Sequence, residues 1–349
     1  MTIYTIIFAF FAACGVFVQR QYENLVLGIS LLFLLFFMGT RYEVGCDYKG
    51  YLNRYENTSV YSSIFDAIGS PEPAFRFLEI FTKTTGLPFV WLTFISTALA
   101  VTCYWVFLKN TAKPMLILAL LFPIMMTQLG MSGIRQAIAV GLLLVAATSF
   151  MNGRRITTAL WIALGAQFHI SVAVFLPIAL LAGREISLRQ IVAAALLLSP
   201  IALLLVGDRI DTYQDRYIDE IYGDQSSAGA SYRYILNFVP AALFIYFRKT
   251  VRSKFPREYQ ILFIFAIATL ALSPLIVLST FALHRLNFYV MPFTIMMAVY
   301  MIYCIPTYRE RMLTLLIPIG AYGGYSVLWQ MSSYHYQVCY ANYQSFLTL

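Results

Sequence analysis

Residues 25–51 read LVLGISLLFLLFFM–GT–RYEVGCDYKGY, an apolar run from Leu25 to Met38 with a dense polar cluster directly behind it. The run has the composition of a membrane helix, though it is short of the roughly 20 residues a full span needs. An ordinary loop at its exit would have no need of Arg41, Asp47, Gly45 and the three tyrosines Tyr42, Tyr48 and Tyr51 packed together. A cluster of this kind at a membrane boundary can hold a polar anion, and it can move protons.

The rest of the chain repeats the apolar theme. Of its 349 residues, 60% are hydrophobic and 11% are charged, against about 25% charged in a soluble domain. Too few polar side chains exist to cover a soluble globule, so the chain reads as an all-α polytopic membrane protein forming one integral membrane domain over 1–349, with helices because lipid cannot satisfy an open backbone. The first run, 2–18, lacks a basic start and a small-residue cleavage site and reads as a retained span. Spans are predicted at 2–18, 25–40, 88–108, 115–130, 134–151, 156–168, 170–182, 190–206, 233–247, 259–280, 287–305 and 312–330. That is about 12 helices, within a range of 10–14. The pair 156–168 and 170–182 reads equally as two short tilted helices, a re-entrant pair or one long helix.

Basic residues orient these spans. Alternate loops hold 14 of the 24 Lys and Arg with four acidic residues, net +10; the other face holds ten against 12 acidic residues, net −2. The basic face is expected to be cytoplasmic, with both termini outside. Basic charge of this origin reports membrane topology and gives no reason to expect nucleic-acid binding. Of the five cysteines, Cys46 and Cys339 both fall on the predicted outer face and could pair; none shows metal spacing, and three scattered histidines argue against a histidine-rich metal site.

Two outer loops are substantial. Loop one, 41–87, ends in PAFRFLEIFTK (73–83), whose apolar spacing predicts an amphipathic helix along the interface. Loop two, 208–232, opens with Asp208, Arg209, Asp211, Asp215 and Arg216 and then turns rich in glycine and serine, as a flexible connector or a moving cover would. The tail, 332–349, is rich in tyrosines suited to an interfacial belt or to stacking on sugar rings.

Charged groups inside a membrane cost roughly 2.5–3.5 kcal/mol each near a helix centre. Four arginines (Arg41, Arg135, Arg233 and Arg285) nevertheless sit at outer helix ends, against the charge bias. One such arginine commonly snorkels to the headgroups. Four that converged would make a phosphate or diphosphate site, because the guanidinium fork matches phosphate oxygens bidentately. Arg135 follows Ser132-Gly133 and so opens a helix whose N-terminus favours an anion. His284, beside Arg285, and Arg216 of loop two join the candidate anion binders. Asp47, Glu72 and His169 are the acid–base candidates: a carboxylate beside an arginine stays ionised and can accept a proton, and histidine titrates in the useful range. Each has a plainer reading. His169 could be a core histidine bonded to a carbonyl or to Ser171, Asp47 could pair with Arg41, and Glu72 between Pro71 and Pro73 could fix a turn.

These same residues carry a resemblance. Arg41…Val44-Gly45-x-Asp47-Tyr48-x-x-Tyr51, then Glu72-Pro73 followed by an aromatic, Ile134-Arg135-Gln136-Ala137-Ile138-Ala139, Phe168-His169-x-Ser171, and Arg285 with Tyr289 resemble, in order and spacing, the EpsG family of exopolysaccharide proteins. These are relatives of the Wzy-type O-antigen and capsule polymerases. One departure is the tail, where Val338-Cys-Tyr340 lacks an expected proline–tyrosine. The resemblance implies a glycosyltransferase-C-like helical fold in the bacterial inner membrane, with its site facing the periplasm or outside. It implies a polymerase that moves a growing glycan from undecaprenyl diphosphate to a sugar hydroxyl of the next lipid-linked unit, with no metal or other cofactor. Lipid-linked donor and acceptor would be its partners, beside a chain-length regulator and flippase of the same pathway. In that chemistry Arg135 and Arg285, helped by Arg233, would hold the donor diphosphate, His169 or Asp47 would take the proton, and Arg41, Tyr48 and Tyr51 would position sugar or the second diphosphate. Competing readings are a ligase moving finished glycan to another acceptor and a flippase for lipid-linked oligosaccharide. A flippase needs polar groups along the whole path, whereas here they gather at one side.

Overall fold

The computed structural model describes residues 2–191, 193, 228–278 and 280–348. The secondary structure is nearly all helix. Among the described residues the one sheet is an antiparallel pair, β1 (Arg41–Tyr42) with β2 (Gln344–Ser345), in the register Arg41 to Ser345 and Tyr42 to Gln344.

Five helices there are long and apolar enough to cross a membrane, at Arg20–Gly39, Phe89–Leu108, Ile134–Met151, Ala282–Tyr303 and Tyr308–Ser332. Shorter apolar helices occupy Ile3–Phe17, Pro114–Leu129, Arg155–Ala166 and Ile170–Leu181. Among the described residues, the expected twelve spans are not confirmed by helices of spanning length. The ambiguous pair is two short elements, the helix Arg155–Ala166 and a 3-10 turn from Ile170 to Phe175 running on to Ile178–Leu181. His284 and Arg285 sit inside the helix Thr280–Tyr303, not in an exit between spans, while the preceding long helix ends at Ala271. Nothing in 280–287 breaks a helix. The expected span 190–206, apart from its first residues, and loop two up to 227, with Arg216, lie outside the described residues.

The chain divides into two compact units, each assembled from separate segments. The first comprises Met1–Val145, Leu164–His169 and Met312–Leu349; the second comprises Ala146–Ala163 and Ile170–Arg311.

In the first unit α1 (Ile3–Phe17) packs on α6 (Pro114–Leu121), and α2 (Glu23–Gly39) on α5 (Phe89–Leu108). Between α1 and α6 the backbones nearly touch: a Cβ at Gly15 would lie 2.7 Å from the Leu116 Cα. Small residues allow this approach, which lipid, unlike water, does not drive by hydrophobicity. Beyond α6 the coil widens into a fully buried π-helix, Phe122–Leu129. Pro123 carries no N–H to donate there, and the Thr127 hydroxyl donates to the Phe122 carbonyl at 3.1 Å. The π-helix leads through Gly130 and Ser132 into α7 (Ile134–Met151).

Loop one is folded. It contains α3 (Tyr48–Glu56), a 3-10 turn at Ile64–Ala67 closed by the reciprocal Ser63–Asp66 capping bonds, and α4 (Pro73–Thr84), which starts with proline at its first position. Glu79 of α4 is fully buried between Arg54 at 2.8 Å and Arg76 at 3.2 Å, and Arg76 also donates to Thr58 at 2.7 Å. Burial pushes the Glu79 carboxyl up from its ordinary range, while the two guanidinium groups oppose the shift.

The C-terminal tail closes over this loop. A disulfide joins Cys46 to Cys339, 293 residues apart. The Phe346 N–H donates to the Thr40 carbonyl at 2.8 Å, and Tyr343 stacks on Phe37 with ring centres 4.4 Å apart. Tyr336 and Tyr340 are buried against Trp329 and Tyr4. Most tail tyrosines are thus packing residues. Replacing both Cys46 and Cys339 by serine is expected to destabilise the protein by about 2–4 kcal/mol, seen as a lower thermal midpoint in detergent; an unchanged midpoint would mean that the noncovalent strap suffices.

In the second unit α10 (Ala228–Lys254), α11 (Pro256–Ala271) and α13 (Thr280–Tyr303, after the short α12 at Leu275–Leu278) pack together. The contact of α10 with α13 contains polar glue: buried Asn237 donates to Asn287 Oδ1 at 3.1 Å and accepts from Thr294 at 2.8 Å. The stacked rings of Phe265 and Phe293, with centres 3.6 Å apart, seal α11 against α13.

Candidate functional site

The first unit holds Arg41, Asp47, Tyr48, Tyr51, Glu72, Arg135 and His169, and its centre is Arg135. Ser132 and Gly133 end the preceding turn, and the Ala137 N–H returns to the Gly133 carbonyl at 2.8 Å, so Arg135 stands in the first turn of α7. Its Nη1 donates to Glu72 Oε2, and its Nε donates to the Tyr51 hydroxyl oxygen at 3.4 Å. The guanidinium carbon lies 5.7 Å from the centre of the Tyr51 ring and 5.9 Å from that of Phe75. Arginine has five N–H groups; two are engaged here, and the side chain remains 28% exposed. The arrangement therefore leaves part of the fork open to an anion.

Loop one shapes the partners. Glu72 precedes Pro73 and so is held out of helical geometry, at φ −134° and ψ 73°. This projects its carboxylate, largely buried, toward Arg135. Tyr51 lies one turn beyond Asp47, with its N–H on the Asp47 carbonyl at 3.0 Å. Burial raises the Tyr51 phenol, and Arg135 opposes this; the phenol of Tyr48 is raised by burial as well. Both stay neutral near pH 7. Asp47 is exposed at the start of α3.

His169 comes to the same structure along another route. The Ala74 N–H donates to the Gln167 carbonyl at 3.1 Å, tying residues 167–169 to the first turn of α4, two residues past Glu72. His169 is 7% exposed. Sequence reading found Arg135, Glu72 and Tyr51 separately. It missed Phe75, whose spacing of three from Glu72 puts it on the same side of α4, and it gave Glu72 a role as base where the structure pairs it with Arg135. One carboxylate oxygen of Glu72 is thereby committed to Arg135.

Two expected binders turn inward. Arg41 has no exposed surface; its Nη1 donates to the Met38 carbonyl at 2.6 Å and its Nε to the Val44 carbonyl at 3.0 Å. It braces the turn after α2. Tyr48 packs edge-on against Phe89 with ring centres 5.2 Å apart and is 3% exposed.

The second unit holds Arg233, His284 and Arg285. Arg233 Nη2 is 2.6 Å from His284 Nδ1 and its guanidinium carbon is 5.8 Å from the Phe288 ring centre. Arginine can only donate, so Nδ1 accepts and the imidazole carries its proton on Nε2. Arg285 is half-buried one residue on. Ser171 and Tyr289 share a hydrogen bond of 2.7 Å. Among the described residues no group of three or more His, Cys, Asp or Glu is placed to hold a metal ion.

Comparison with curated proteins and with solved structures gives no match. The model of the EpsG family matches residues 24–345, nearly the whole chain. The chain belongs to the EpsG family, a Wzy-type polymerase-like family, and is a multi-pass membrane protein with a polysaccharide polymerase-like role.

Proposed function

We propose that this member of the EpsG family polymerises oligosaccharide repeat units carried on undecaprenyl diphosphate, at the outer face of the bacterial inner membrane. The observation that carries the reading is the partly open Arg135 fork, fixed at the start of α7 by Glu72 and Tyr51. The bond between sugar C1 and the diphosphate oxygen breaks as a hydroxyl oxygen of the acceptor unit bonds to C1. The diphosphate leaves with the electron pair, and the hydroxyl proton passes to a base. Arg135 would stabilise the charge gathering on the leaving group, a service that a metal ion gives elsewhere. Arg233, paired with His284, and Arg285 remain candidate anion binders of the second unit. Glu72 holds Arg135, which leaves Asp47 and His169 as bases. On this reading the reaction is expected to proceed without a metal ion.

The Cys46–Cys339 disulfide supports the outward orientation, because such bonds persist in oxidising compartments. The charge asymmetry between loops points the same way. The direct test supplies purified protein with lipid-linked repeat units, with and without EDTA. A ladder of glycan lengths unchanged by chelator is expected. A single transfer product would favour a ligase, and unconsumed substrate would remove enzymatic transfer altogether.

A further inference from the structure

Three features outside the proposed chemistry stand out. The cleft between the N-terminus and the tail, lined by Thr2, Tyr336, Asn342, Tyr343 and Gln344, has two of its rings already committed to packing, Tyr343 on Phe37 and Tyr336 on Tyr4. The Arg54–Glu79–Arg76 cluster is closed upon itself within α3, α4 and the turn after α3. The contact between the tail and the turn before α7 is different, because it ends on Ser132, three residues before Arg135.

The turn Leu129–Gly133 is gripped from two sides. The Tyr340 hydroxyl donates to the Gln128 carbonyl at 3.1 Å and lies 2.5 Å from the Ser132 hydroxyl. The Cys46 N–H donates to that same Ser132 oxygen at 2.8 Å. Cys46 is bonded to Cys339, the residue next to Tyr340, and the Gly45 N–H donates to the Cys339 carbonyl at 2.8 Å. A closed circuit therefore runs Ser132–Tyr340–Cys339–Cys46–Ser132. Tyr340 is 3% exposed and its bond to the Gln128 carbonyl is buried, where a hydrogen bond is stronger than in water. Ser132 stands three residues before Arg135, and its carbonyl accepts from the Ile134 N–H at 3.0 Å. Any shift of Ser132 is handed to the first turn of α7 and so to the guanidinium.

We propose that Tyr340 and Ser132, clamped by the Cys46–Cys339 disulfide, are positioning residues for Arg135, making the C-terminal tail a working part of the catalytic site. This rests on the polymerase reading in one respect only, that Arg135 meets the lipid diphosphate. A misplacement of about 1 Å can cost on the order of 100-fold in rate. Losing one hydroxyl while the disulfide and strand pairing remain should cost less, roughly tenfold in kcat, with KM moving less than kcat because the contact matters most as charge builds on the leaving group.

The test compares Tyr340→Phe, Ser132→Ala, Ser132→Thr and the S132A/Y340F double variant as purified full-length proteins. Each is assayed for thermal midpoint, for kcat and KM in the ladder assay, and for binding of undecaprenyl diphosphate alone. Y340F and S132A should keep a midpoint near the parent's and lose roughly tenfold in kcat. The double variant should be no slower than either single, since all three break one circuit, and S132T should retain most activity. Unchanged kcat per folded molecule in Y340F would overturn the proposal. So would losses that multiply in the double variant, or a fall in midpoint that accounts for all lost activity. The binding arm separates the two readings: if the parent binds the lipid diphosphate yet makes no ladder, the polymerase assignment fails while weaker binding by Y340F still upholds the positioning role.

Discussion

Replacing Arg135 by alanine should abolish polymer formation while the protein still accumulates in the membrane. Removing one preorganised donor from a developing negative charge typically costs 100- to 1,000-fold in rate, about 3–4 kcal/mol. Here the loss should reach or exceed that, because the same side chain supplies a full positive charge. Alanine would also strand the mostly buried Glu72 carboxylate without its partner, so two further variants separate chemistry from folding. Arg135→Lys keeps the charge near Glu72 but loses the planar fork, and it should rescue accumulation with little activity. The pair Glu72→Gln with Arg135→Met removes both charges and should be as stable as the parent or nearly so, yet inactive. Chain lengths on a gel, normalised to protein level, decide the matter. Normal ladders from Arg135→Ala would sink the assignment of Arg135 to the diphosphate.

Gly45→Ala should be the most damaging substitution to the fold of loop one. Gly45 adopts φ +101°, and a Cβ there would lie 2.0 Å from the Met131 carbonyl oxygen. The left-handed conformation costs a side chain about 1–2 kcal/mol, and forcing an extra carbon into packed surroundings adds about 1–3 kcal/mol. The neighbour is backbone and cannot swing aside. The variant should show a lower thermal midpoint and incomplete formation of the Cys46–Cys339 bond on non-reducing gels, because the displaced turn carries Cys46 with it. Gly50→Ala is the control: nothing lies within 4 Å of that position, which is inside α3, so alanine should be neutral or better. Equal behaviour of the two variants would mean that the close approach of Gly45 to Met131 is not formed.

Much of this was readable from residue order alone, and the failures have physical causes. The membrane class followed from apolar runs such as 25–38 and 89–108, because bilayer thickness makes length and composition decisive. The number of spans did not follow. Buried apolar stretches such as 114–129 and 170–181 look the same in sequence whether they cross a membrane or pack in short pieces. Arg135, Glu72 and Tyr51 each stood out by charge or placement. Their partnership did not, because residues 63 positions apart share no periodicity. Arg41 misled for a related reason: an arginine at a helix end reads alike whether it faces a ligand or, as here, two backbone carbonyls. Tyr340 was hidden among other tail tyrosines, and its bonds to Ser132 and to the Gln128 carbonyl distinguish it.

The closure of loop one by the tail also sets an order of events during synthesis. Cys46 leaves the ribosome 293 residues before Cys339. At 5–20 residues per second, the interval is roughly 15–60 s. Throughout it, the turn that steadies Arg135 has neither its tyrosine nor its covalent clamp, and the strand partner of Arg41 and Tyr42 does not yet exist. That part of the site is thus completed only once Cys339 and Tyr340 have been made. A chain stopped before Cys339 would therefore lack the clamp on the turn that leads into Arg135, whatever the state of its helices.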